Sequence, residues 1–135
     1  VNAGWPLFHV FEDGDTEQHF SPASGRVTTR QPPVGAWPNF YLSMFELLMR
    51  EPGADAIFML QDDVIFPNHR GLRQFVEGVL WPGRKAGIVS LFCPAEYTST
   101  TNGWNFKEGA WFWGAQALIF DRQIALRFLS SDIVI

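Results

Sequence analysis

Two adjacent acids follow the apolar segment AIFML within GADAIFMLQDDVIF at residues 53–66, and their position makes them the strongest candidates for chemistry in the chain. Asp62 and Asp63 follow an apolar segment that reads as a buried strand, and neighbouring carboxylates repel each other once water is withdrawn. A hard divalent cation with oxygen ligands, magnesium or manganese, is the simplest compensation. The plainer alternative is a pair of solvated turn or capping acids ahead of the next helix. Strand alternation sets Gln61 and Asp63 on one face and Asp62 on the other, unless the chain already turns there. A second concentration of functional groups is PAEYTSTTNGWNFKEGAWFWG at 94–114, where Trp104, Trp111 and Trp113 stand beside Asn102, Asn105 and Glu108. Sugars are commonly held on aromatic faces flanked by hydrogen-bonding groups, and ordinary packing of large rings is the competing explanation. Trp5, Trp37 and Trp81 read as packing residues, and His9, His19 and His69 are too scattered to suggest a metal site.

The elements that must position these groups alternate between strand and helix. PLFHVFEDGD predicts a strand over 7–12, and SPASGRVTTRQPPVG at 21–35, rich in Ser, Thr, Gly and Pro, predicts a long loop. WPNFYLSMFELLMREPGAD carries apolar residues at near-helical spacing, with Pro38 near its start and Pro52–Gly53 ending it. AIFMLQ predicts a buried strand, NHRGLRQFVEGVLW an amphipathic helix from about Asn68 to Leu80, and AGIVSLF and AQALIF two further strands. Asp121 is placed to cap a closing helix. Strands alternating with helices predict a single α/β domain over 1–135 with a mostly parallel sheet, its strand at 56–60 flanked by those at 7–12 and 87–92. Ligands of such sheets bind beyond the carboxyl ends of the strands, which is where Asp62 and Asp63 fall.

Composition narrows the partners. The chain has 135 residues, is 47% hydrophobic and 18% charged, and carries a net charge of −4, as an ordinary globular domain does. Its ten Lys and Arg residues form no basic cluster, which argues against nucleic acid. The single cysteine, Cys93, permits no internal disulfide and reads as a buried thiol. No apolar run approaches the roughly 20 residues of a membrane span, and no signal peptide is visible. The opening VNAGWP and the closing SSDIVI read as cut ends, so the expectation is a fragment whose compartment is open.

FMLQDDVIF resembles the strand bearing the D-x-D-type signature of GT-A glycosyltransferases, closest to the E-D-D form of N-acetylglucosaminyltransferase I-like enzymes. The order HVFEDG, QDD, GIVSLF and WFWGAQALIF extends the resemblance over most of the chain. The resemblance implies a Rossmann-like GT-A domain, truncated at both ends. Its implied activity is transfer of a sugar from a nucleotide-diphosphate donor to a hydroxyl of a glycan or other acceptor, with manganese or magnesium. On the matching positions it makes Asp63 the metal ligand and Gln61 and Asp62 donor contacts, with Gln61 departing from the acid often found there. It likewise makes Asp13 of FEDG a donor contact and Asp132 the carboxylate that takes the acceptor's proton. Trp104, Glu108, Trp111 and Trp113 then become an acceptor wall. A nucleotidyltransferase and a catalytically silent carbohydrate-binding domain are the alternatives to this activity.

Overall fold

The computed structural model describes Trp5 and residues 8–14, 25–65, 71–80, 87–92 and 114–132. Strand β1, Phe8–Asp13, pairs in parallel with β2, Gly25–Arg30, in a register running from Phe8 opposite Gly25 to Asp13 opposite Arg30. The expected loop at 21–35 therefore contains a strand. Its Ser-, Gly- and Pro-rich surroundings mask the β-branched run Val27–Thr29, whose side chains suit an extended conformation with limited burial.

Helix α1, Ala36–Arg50, follows. Pro38 is tolerated in its first turn because backbone N–H groups there have no intrahelical partner. Phe40, Met44 and Leu48 form the inward stripe expected of 3.6 residues per turn, and Met44 and Leu48 are buried. After the turn at Pro52–Gly53 comes β3, Ala56–Leu60. Helix α2, Leu72–Phe75, runs into a π-helical turn at Val76–Leu80. The helical expectation for 68–80 is met from Leu72 onward, while Asn68 lies outside the described residues. Strands β4, Ile88–Ser90, and β5, Ala117–Asp121, precede helix α3, Arg122–Leu129. The expected N-cap is present: the Asp121 carboxylate accepts from the backbone N–H of Gln123 at 2.8 Å and of Ile124 at 3.2 Å.

The architecture is α/β with two sheets, one parallel and one antiparallel. Besides the parallel pair β1–β2, a three-stranded sheet has the order β3-β5-β4 with β5 antiparallel to both neighbours. This corrects the expectation of one mostly parallel sheet, and of a strand at 56–60 flanked by those at 7–12 and 87–92. A continuous apolar run reports burial on both faces but carries no information on strand direction or neighbour. Both faces of the β3-β5-β4 sheet are covered. On one, Ile57, Met59, Leu118 and Phe120 pack with Met44 and Leu48 of α1 and Ala125 of α3. On the other, Ile119 and Val89 pack with Leu72 and Val76, and Trp5 meets Phe58 edge-on at 5.6 Å, consistent with the packing role read for Trp5. No helix of the described residues is long and apolar enough to cross a membrane.

The carboxyl end of α1 is closed by a cation. The Arg122 guanidinium donates from Nη1 to the carbonyl of Glu51 at 3.0 Å and from Nη2 to that of Leu48 at 3.1 Å, satisfying terminal acceptors and complementing the negative end of the helix dipole. At the other end of the pair, the Tyr41 hydroxyl donates to the Leu129 carbonyl at 2.6 Å, so α1 and α3 run antiparallel. Replacing Arg122 by Met, which keeps the aliphatic stem, is expected to lower unfolding free energy by about 2 kcal/mol, since the lost bonds are charge-assisted. Urea denaturation monitored by circular dichroism measures it, and an unchanged midpoint would show that the cap contributes nothing.

Candidate functional site

The directions of α1 and α3 bring distant parts of the chain to one end of the molecule. At the start of α1, Asp13 at the end of β1 bonds the backbone just before the helix. At its finish, His9 near the start of β1 meets Glu51 at 3.2 Å. Helix α1 therefore runs antiparallel to β1. Strand β3 turns back from the end of α1 and packs along it, so β1 and β3 both finish where α1 begins. Helix α3 starts at the opposite end, where Arg122 caps α1, and finishes beside Tyr41 and Trp37 near the start of α1. Asp13, the segment Gln61–Asp63 and Asp132 consequently open at the same end, at the carboxyl ends of β1 and β3 and just past α3. Asp13 and Asp63 thus lie at the same end of the molecule, but on strands of different sheets.

Each position has a different local geometry. Asp13 is tied into the framework: Oδ1 accepts from Val34 N–H at 2.6 Å and Oδ2 from Gly35 N–H at 2.7 Å. Two glycines permit this. Gly14, at φ 99°, turns the chain away directly after Asp13, and Gly35, at φ 93°, turns it into the helix. A carboxylate has about four acceptor directions, so Asp13 keeps capacity for a ligand hydroxyl or amide after binding these two groups.

Gln61 continues the β3–β5 pairing through its N–H to the Gln116 carbonyl at 2.9 Å, and the chain then turns, with Val64 N–H reaching back to the Gln61 carbonyl at 3.4 Å. Strand alternation therefore ends at Leu60, and Asp62 and Asp63 occupy the corner of an exposed turn. No hydrogen bond or ion pair joins either carboxylate to another described residue. Asp132 is exposed, beyond the last turn of α3. Trp104, Glu108, Trp111 and Trp113, together with Cys93, lie outside the described residues.

Two further residues belong to this end. Gln116, opposite Gln61, keeps its side-chain Oε1 buried without a hydrogen-bond partner among the described residues. Trp37, read from sequence as packing, is 50% exposed in the first turn of α1. Its helical spacing from Phe40 and Met44 marks the inward face, but spacing does not record how much of that face is covered in the first turn.

Among the described residues no group of three or more His, Cys, Asp or Glu side chains is gathered to hold a metal unaided. An exposed aspartate corner does suit an ion that takes one or two carboxylates and fills its remaining positions with water and phosphate oxygens, as magnesium does. No family model, curated protein or solved structure matches the chain. Replacing Asp13 by Ala should lower unfolding free energy by about 1–2 kcal/mol, the scale of a lost helix cap, even with no ligand present. Urea titration checks this, and full stability in the Ala variant would mean that Asp13 is not holding the start of α1.

Proposed function

We propose that the chain carries the nucleotide-sugar site of a Rossmann-like GT-A glycosyltransferase that moves a sugar from a nucleotide diphosphate to an acceptor hydroxyl. The observation that carries the reading is the convergence of Asp13, Gln61–Asp63 and Asp132 at one end of the molecule, where β1, β3 and α3 finish. It is supported by the likeness of FMLQDDVIF to the acid-bearing strand of that family.

In this reading Asp63 would hold manganese or magnesium, with Asp62 and the Gln61 amide hydrogen-bonding the donor. The ion would neutralise charge on the departing diphosphate. Asp132, the general base, accepts the proton of the acceptor hydroxyl as that oxygen bonds the anomeric carbon and the bond from this carbon to the diphosphate oxygen breaks, its electron pair leaving with the diphosphate. Asp13 contributes through its remaining acceptor directions while fixing the start of α1.

A second reading, a carbohydrate-binding domain without catalysis, is favoured by one observation: both Asp13 oxygens already serve backbone N–H groups. Metal dependence separates the two. Calorimetry of the full chain with a panel of nucleoside diphosphates is expected to give binding at least about tenfold tighter with manganese than with chelator, a difference of 1.4 kcal/mol. Asp63→Ala should remove that difference. Equal affinity of the unaltered protein in both conditions would contradict the transferase reading.

A further inference from the structure

We infer that Trp37 is a sugar-stacking platform at the mouth of the candidate site, taking the apolar face of a pyranose ring of the acceptor; the assignment to the acceptor rests on the glycosyltransferase reading above. The inference begins with an inconsistency between spacing and burial. Trp37, Phe40, Met44 and Leu48 follow one another at intervals of three and four residues and share the inward face of α1. Met44 and Leu48 are 0% and 3% exposed, whereas Trp37 is 50% exposed. The inward stripe thus opens to solvent in the first turn of the helix. The ring contacts agree. The indole stacks on Phe40 at 5.9 Å with an interplanar angle of 11°, and meets Phe128 of α3 edge-on at 5.9 Å and 83°.

These two contacts hold the indole at a set angle while half of its surface stays in solvent. Ordering a free side chain on binding costs entropy, and much of that cost has already been met in folding. The surroundings favour a sugar over a purely apolar ligand. Trp37 is two residues beyond Gly35, whose N–H is held by Asp13, and the helix carrying Phe128 leads directly to Ser130, Ser131 and Asp132. A half-exposed indole face matches the apolar C–H face of a pyranose, and polar residues that could meet its hydroxyls follow Phe128 in the chain. An acceptor sugar resting there would lie at the end of the molecule that carries Asp132.

The test uses the full chain, with methyl glycosides of glucose, galactose, mannose and N-acetylglucosamine as probes in saturation-transfer NMR, alongside calorimetric titration of nucleoside diphosphate with manganese. Trp37→Leu keeps apolar packing on Phe40 and Phe128 but removes the aromatic face, while Trp37→Phe keeps a ring. At least one glycoside is expected to bind the unaltered protein, to weaken about tenfold or more in Trp37→Leu, and to keep most of its affinity in Trp37→Phe. Nucleotide binding should be the same in all three proteins. Glycoside affinity that is indifferent to Trp37→Leu, or absent from the unaltered protein, overturns the platform. Intact metal-dependent nucleotide binding in that case leaves the transferase reading standing. Trp37-dependent glycoside binding with no nucleotide binding supports the platform and sinks the transferase reading instead.

Discussion

Helix α1 is held at both ends by groups from elsewhere in the chain, and the arrangement of the candidate site follows from that constraint. At its amino end the Asp13 carboxylate binds the Val34 and Gly35 N–H groups, and at its carboxyl end the Arg122 guanidinium binds the Leu48 and Glu51 carbonyls. Each partner carries the sign that the helix dipole favours at that terminus. Asp13 ends a strand of the two-stranded sheet, and Arg122 follows a strand of the three-stranded sheet. The same helix thus indexes both sheets against one axis and brings their open ends level.

The side of α1 facing β1 and β2 is built differently from its apolar contact with β3 and β5. Glu46 bridges Arg30 at 2.8 Å and Arg50 at 2.9 Å, and both guanidinium groups lie over the Phe11 ring. Arg30 also donates to Asn39 at 2.7 Å, and the Asn39 amide donates to the Phe11 carbonyl at 3.0 Å. This network depends on direction as well as burial, so it specifies how β1 and β2 sit along the helix, where an apolar contact would tolerate sliding. A shift of β1 along α1 would break the Asp13 contacts along with this network and move the acid away from the turn at Gln61–Asp63.

Much of this was legible in the sequence, for identifiable reasons. The apolar runs of β1, β3 and β5, the inward stripe of α1 and the Asp121 cap are local patterns, and they appear where expected. Strand β2 was hidden because its polar residues suit an exposed strand and a loop equally well. The antiparallel setting of β5 was hidden because hydrophobic periodicity has no direction. The engagement of Asp13 could not be read at all: its partners lie 21 and 22 residues further along the chain and donate through backbone N–H groups, which any residue but proline supplies. The exposure of Trp37 is a related case, since periodicity identifies the face of a helix but not how much of that face is covered.

We propose that one end of the molecule, formed by the ends of β1, β3 and α3, receives a metal-associated diphosphate. Paramagnetic broadening by manganese in the presence of a nucleoside diphosphate, mapped on the backbone amides of the full chain by NMR, tests this most directly. Broadening falls off steeply with distance from the ion, so the affected amides locate it. The strongest loss of signal is expected at Gln61–Val64, weaker loss at Asp13, Gly14 and Gly35 and at Ser130–Asp132, and sharp signals at Glu51–Asp55 and Arg122 at the far end. Broadening centred on that far end, or spread evenly over the surface, would contradict it.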